Sequence, residues 1–494
     1  MRARSFRAMV VLSVTACSAA NYPSEDSNPR RSKPPVVQAV GNAVTVDPSI
    51  AGPRISSLVL GANLAMWYDN TQVEATIGLM TAGLASARWP GGAAADSYNW
   101  QQNTVCSGYT SPNSAFDLFM NRVAKPANLD VAITLNYGSD PTCSQPGDPA
   151  FAAQWVDYAN NVQHYGISYW TVGNESYGSW ETDLHASPWD PWTYAASVKN
   201  GFYPQIKAVD ANAQVGVVVS GGGYNGWDQT VLANTPYDFV ELHYYDQNPG
   251  EETDTGLVLH GATRLAAKIA TVQNELSQAG RSVPIYLGEL GSVNTNPGKQ
   301  TMSITQALFA AQAIGTIMQM GITRATWWLA NGGCNTSASG NFSSDLYGWQ
   351  NYGGYMMFSD GLPNASECPG TPNIGVGTLF PTARAYQLLS QFAVTGEHMV
   401  GVAVGDSLPS LRAWAATSGQ GYALLIVNVD SATTKEVPIA IKGHDAPASM
   451  NVTTYGKIQY DESYNNVWDG PATATVSDGS VEVPPWSITV VRIP

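Results

Sequence analysis

The stretch YWTVGNE, residues 169–175, decides the fold. Tyr169 to Val172 have strand character, a glycine ends the run, and Asn174 and Glu175 then stand side by side. β-Branched and aromatic residues suit a pleated strand, and glycine interrupts it. The same design recurs at PIYLGEL (284–290), where Gly288 and Glu289 close another apolar run. Outward from these two, strands are expected at 56–64, 85–90, 131–137, 215–220, 238–245 and 324–330. Stretches of helical period lie between them at 114–125, 149–164, 191–209, 258–279 and 302–320. This alternation predicts a (β/α)8 barrel over residues 51–394. A doubly wound sheet is the rival architecture, but no Gly-x-Gly-x-x-Gly follows the first strand. The 302–320 stretch is rich in apolar residues yet broken by Gly315, and reads as a buried barrel helix.

After a last helix at 382–392 the pattern changes. Short alternating runs at 411–416, 422–429, 437–441, 450–456 and 487–493 predict a C-terminal antiparallel β-sandwich over 395–494. The segment VVQAVGNAVTV (36–46) has no barrel partner, so a strand within 37–50 is expected to join that sandwich.

At the other end, Arg2, Arg4 and Arg7 precede an apolar run from Ala8 to Ala16. A basic segment before a short apolar one is an export signal, and the run is too short to span a bilayer. Val14-Thr15-Ala16-Cys17 resembles a bacterial lipobox. Residues 1–17 are therefore expected to be a lipoprotein-type signal ending at Cys17, and the polar, proline-bearing 18–36 a tether. The chain would be exported from a bacterial cell, and either lipid-anchored in the envelope or secreted. Four cysteines remain, and an exported chain favours pairing them. Cys106–Cys143 and Cys334–Cys368 are the preferred pairs, since each would pin neighbouring loops at one end of the barrel.

The net charge is −15, and since the residues before Pro34 carry +4 the remainder carries −19, so the body would repel a phosphate backbone. Nucleic acid is not an expected partner. The 15 tryptophans and 24 tyrosines instead offer flat faces with polar edges, which suits an oligo- or polysaccharide. The six histidines show no metal-ligand spacing, and no Gly-x-Ser-x-Gly or phosphate loop occurs. No metal or cofactor is called for, and the oligomeric state stays open.

Barrel chemistry gathers at the carboxyl ends of the strands. Those ends supply Arg88, Trp89, Asn136, Tyr137, Asn174, Glu175, His243, Tyr244, Tyr245, Glu289, Trp327 and Trp328. Asn-Glu recurs at Asn274-Glu275, and Gly-Glu at Gly250-Glu251 and Gly396-Glu397, but in a helix, a loop and the domain junction. Position, not the dipeptide, singles out Glu175 and Glu289. Cleaving a glycosidic bond needs one carboxyl to protonate the leaving oxygen and another to attack or stabilise the anomeric carbon. Glu175 is assigned as acid/base and Glu289 as nucleophile. Arg88 would favour the ionised Glu289, Tyr245 or His243 would donate to it, and Asn174 would bond a sugar 2-hydroxyl. Trp89, Asn136, Tyr137 and Trp327 are further candidate substrate contacts, with Trp327 as the sugar-stacking floor and Trp328 turned away.

Asn174-Glu175 on strand four, His243-x-Tyr245 on strand six, Glu289 on strand seven and Trp327-Trp328 on strand eight together resemble glycoside hydrolase clan A. Arg88-Trp89-Pro90-Gly91-Gly92 with Gly173-Asn174-Glu175 is most similar to the family 51 α-L-arabinofuranosidases. The resemblance implies a retaining glycosidase that works through a covalent glycosyl-enzyme. The stretch 176–183 and the insert 331–378 depart from that family, which leaves β-xylosidase, β-glucuronidase and endo-glycanase activities, and families 39, 79 and 30, as alternatives. A carbohydrate-binding lipoprotein without catalysis is the rival from another class, and a transglycosylase would use the same two carboxylates. The insert, with Tyr347, Trp349 and Tyr352, is expected to wall the cleft.

Overall fold

A parallel strand exposes apolar side chains on both faces, so it must be covered on one side by helices and filled on the other by its neighbours. The computed structural model describes residues 37–334, 339–349, 352–361, 368, 374–463 and 469–494. The export signal, Cys17 and the tether lie outside the described residues.

Eight strands close into a parallel barrel in chain order: β2 Gly61–Asn63, β3 Ser86–Trp89, β4 Asp130–Leu135, β5 Tyr169–Val172, β6 Gln214–Val219, β7 Phe239–Gln247, β8 Ile285–Val293 and β9 Arg324–Trp327. Each falls inside or beside a segment the sequence marks as a strand. Among the helices that cover them are α1 Pro149–Asp157, α2 Pro191–Ser197, α3 Asp254–Gln278, α4 Ile304–Gln319 and α5 Pro381–Phe392. Tyr169, Ala132, Phe239 and Tyr286 pack as a plug inside the barrel floor. Alternation along β7 then stacks Glu241, His243 and Tyr245 above Phe239 on the same inward face.

Strand β8 breaks this rule. Tyr286 faces inward, so strict alternation would turn Glu289 out. The register with β7 slips by one residue at Gly288, pairing Leu287 with Leu242 but Glu289 with His243. An extra residue of this kind re-aims the side chain that follows it. The bulge must be glycine here, because a Cβ on Gly288 would come 2.1 Å from Glu241 Oε1.

The second layer is a nine-stranded sheet that includes β1 Val44–Arg54, paired antiparallel with His398–Val404 and parallel with Lys435–Ile441. The strand thus starts later and runs further than the expected segment, because a turn at Gly41–Asn42 precedes it. All other pairings are antiparallel. The strand Gly421–Asn428 is buried on both faces: Leu424 and Ile426 join the sandwich core, while Ala423, Leu425 and Val427 join the barrel core. This dual burial seats the sandwich on α4 and α5, and explains why α4 is apolar on nearly every side. No helix among the described residues is long and apolar enough to cross a membrane. Both disulfides form, Cys106–Cys143 and Cys334–Cys368.

Gly315 sits in α4 beneath the indole of Trp414, and a Cβ there would come 2.6 Å from the ring. Alanine gains helix propensity of at most about 1 kcal/mol. Displacing the ring costs roughly 1–3 kcal/mol by overpacking. Gly315→Ala is therefore expected to lower the thermal denaturation midpoint, and an unchanged or raised midpoint would show that this joint is not tightly packed.

Candidate active site

The cation at the centre of the site is Arg88, on β3 and fully buried. A buried cation must be matched by charge and hydrogen bonds. Arg88 Nε lies 2.7 Å from Glu241 Oε1, Nη1 donates to Glu289 Oε1 at 3.0 Å and to Asn63 Oδ1 at 3.0 Å, and Nη2 donates to Asn174 Oδ1 at 2.6 Å. Asn63 in turn donates to Gly288 O at 2.9 Å, fixing the bulge from β2, across the intervening β9.

Above Arg88 sits His243. Its Nε2 is 3.0 Å from Glu241 Oε1, and its Nδ1 is 3.0 Å from Glu175 Oε1 and 3.6 Å from Glu289 Oε2. Those two contacts cap the gap between the Glu175 and Glu289 oxygens at about 6.6 Å, the lower edge of the roughly 6.5–9.5 Å seen for inverting pairs and open to the ~5–5.5 Å of retaining ones. Tyr245 donates to Glu289 Oε2 at 2.5 Å. Glu175 stands at φ +39°, a left-handed conformation that costs energy for a glutamate and persists where the surroundings enforce it. Its Oε2 accepts from Trp180 Nε1 at 2.8 Å and its Oε1 from Tyr177 at 3.3 Å.

Burial raises the Glu175 carboxyl, but His243, Trp180 and Tyr177 outweigh it and hold the group below its usual range. Burial also raises Glu289, and there it prevails over His243, Arg88 and Tyr245, with Glu175 adding repulsion. Glu241 is held low, because Arg88, His243 and Thr171 together outweigh its burial. Burial alone would depress the His243 imidazole, yet Glu289, Glu175 and Glu241 push it up to about 10. The site therefore favours its proton on His243, with Glu175 held low and Glu289 pushed up. This order is the reverse of what a resting acid and a resting nucleophile require.

The sequence-expected residues divide by strand face. Arg88, Asn174, Glu175, His243, Tyr245 and Glu289 converge. Trp89 does not: it is fully buried against Phe119, Tyr98 and Trp155 on the helix side. Tyr137 likewise turns outward and stacks on His185 at 4.5 Å. Trp327 packs between Phe309 and Tyr386, whereas Trp328 faces the mouth beside Trp67 at 6.1 Å, so the expected roles of this pair are exchanged. Each neighbour on the strand already points inward, which forces these rings out. Asn136 is spent on its own loop and the one after β3, bonding Ser139 and Tyr98 O. In the insert, Tyr347 lies against Trp486 of the sandwich, and Trp349 and Tyr352 pack on each other. These three rings do not wall the cleft.

Sequence reasoning missed Asn63, Glu241 and Glu181. The two-residue period offered Glu241, which lies two before His243, and Asn63 ends strand one as Glu175 ends strand four.

A parallel barrel whose strand ends bring two glutamates to one imidazole, with a buried arginine holding the second, defines a glycosidase of glycoside hydrolase clan A. Residues 59–333 match the model of the cellulase family, glycosyl hydrolase family 5, and the chain belongs to that family. An exo-α-(1→6)-L-arabinofuranosidase of Bifidobacterium longum is 37% identical over 89 residues, which is 17% of this chain and only 16% of that relative's length. An arabinofuranosidase crystal structure superposes with a TM-score of 0.69 at 16% identity, covering 92% of this chain and 100% of its own. The family 51 α-L-arabinofuranosidase of Thermotoga petrophila RKU-1 does so with 0.67 at 17%, again over 92% and 100%. At these identities the structural likeness speaks for the fold.

His243 contributes to stability with a defined sign. Its folded value near 10 exceeds the ordinary 6.5, so its contribution is complete below pH 6.5 and lost as pH rises through about 10. Thermal midpoints of the native protein and His243→Gln should differ most near pH 6.5 and converge toward pH 10. Parallel curves would contradict a protonated His243.

Proposed function

We propose that the chain hydrolyses glycosides with retention of configuration, by double displacement, with Glu289 as nucleophile and Glu175 as acid/base. The observation that carries this reading is the approach of both carboxyls to His243 Nδ1. Glu289 is buried and gripped by Arg88 and Tyr245, which suits a group that must attack one carbon along one line. Glu175 is more open, its side chain 20% exposed, which suits a group that exchanges protons with leaving group and water. One proton transfer from His243 Nδ1 to Glu175 Oε1 converts the resting pair into neutral imidazole and carboxylic acid. The acid protonates the glycosidic oxygen while Glu289 forms the bond to the anomeric carbon. Glu175 then deprotonates water, which displaces Glu289 and returns the sugar with its original configuration. Asn174 offers an amide N–H to the 2-hydroxyl, and Trp328 and Trp67 offer ring faces at the mouth.

For the sugar, the arabinofuranosidase relatives support an α-L-arabinofuranoside. The family 5 match favours a second reading, cleavage of a β-linked glucan. Two disulfides support work outside the cytosol, in keeping with export.

Glu175→Ala should cut turnover of a glycoside with a sugar leaving group by about 10²–10⁴-fold, the usual worth of general acid catalysis. It should spare the first step on a dinitrophenyl glycoside, whose leaving group needs no proton. Equal loss on both substrates would remove the acid role. A panel of aryl arabinofuranosides, xylosides and glucuronides with cello-oligosaccharides identifies the sugar: turnover confined to the arabinofuranoside supports the first reading, turnover confined to the cello-oligosaccharides the second.

A further inference from the structure

Glu181 lies six residues beyond the acid/base, in the stretch that departs from the resembled family, and is only 4% exposed. The chain returns there through a turn, with Gly178 N donating to Glu175 O and Glu181 N to Gly178 O. Trp189 Nε1 holds the Glu181 carbonyl at 3.0 Å. The side chain reaches back to the site, where Oε1 accepts from Asn174 Nδ2 at 3.0 Å. Its Oε2 is buried without a hydrogen-bond partner among the described residues. Asp96, fully buried, takes the Asn174 backbone N–H at 3.1 Å. Asn174 is thus held at three points: its backbone by Asp96, its amide oxygen by Arg88 and its amide nitrogen by Glu181.

We infer that Glu181 is a positioning residue, whose carboxyl group fixes the face of the Asn174 amide and so tunes the enzyme to sugars that carry a free 2-hydroxyl. An amide can be turned end for end at little steric cost, and a reversed Asn174 would present its oxygen where the substrate needs a donor. Arg88, a donor, can bond only the amide oxygen, and the carbonyl oxygen of the Glu181 carboxyl group, an acceptor, only the amide nitrogen. One N–H then stays free for the sugar. Burial, with Asp96 and Glu175 close by, pushes Glu181 up to about 10, so it acts as a neutral acid. Neutrality matters, since a further charge here would repel both catalytic carboxylates. The inference rests on the proposed role of Asn174.

The test compares Glu181→Leu, Glu181→Gln and Asn174→Ala on the best aryl glycoside and on its 2-deoxy counterpart, with thermal midpoints recorded for all. Glu181→Leu should lose roughly tenfold or more in kcat/KM on the 2-hydroxy substrate, the worth of a misdirected buried hydrogen bond. It should match the native enzyme on the 2-deoxy substrate. Glu181→Gln, neutral and of the same shape, should recover most of the loss. Equal losses for Glu181→Leu on both substrates, or no recovery with glutamine, would overturn the inference while leaving the role of Asn174 intact. Native kcat/KM for Asn174→Ala on the 2-hydroxy substrate would instead remove the reading beneath it.

Discussion

The site depends on one buried guanidinium. Arg88 is fully buried, so its charge must be answered by the barrel. Glu241, Glu289 and Asn63 answer it from three other strands, and Asn174 from the loop that follows β5. Each contact fixes more than the arginine. Glu241, held by Arg88, takes His243 Nε2, and that leaves Nδ1 facing Glu175. Asn63 steadies the glycine bulge that turns Glu289 inward. The orientation of both glutamates thus traces back to a single side chain at the end of β3.

Much of this was legible in the primary structure. Eight runs of strand character gave the barrel, because alternation of strand and helix has few closed solutions. Glu175 and Glu289 stood out by position at strand ends. The face of each strand was harder to read. Arg88 and Trp89 are adjacent, as are Asn136 and Tyr137, and only one of each pair can look into a barrel. That rule was available and excludes Trp89 and Tyr137. For Trp327 and Trp328 the sequence gives no phase, since the two residues are identical, and the inward Thr326 decides it through its hydrogen bond with Tyr286. Glu289 is the reverse case: strict alternation would have discarded it, and only the slip at Gly288 brings it in. A bulge has no reliable sequence signal beyond the glycine.

The sandwich adds rigidity rather than chemistry. Its strands bury side chains on both faces, one set among themselves and one against α4 and α5. Helix α4 follows β8, so this packing braces the strand that carries Glu289. The charge pattern inside the barrel is the more delicate feature. Glu175, Glu241, Glu289, Glu181 and Asp96 crowd around two cations, so they cannot all be ionised together. Burial and mutual repulsion push Glu181 and Asp96 up, while His243 is pushed up by the carboxylates that face it.

The most direct measurement is covalent trapping. An activated 2-deoxy-2-fluoro glycoside of the accepted sugar slows the second displacement, and peptide mass spectrometry then locates the adduct. The double-displacement account predicts one sugar attached to Glu289. An adduct on Glu175, or none while the parent substrate is hydrolysed with inverted configuration, would contradict it.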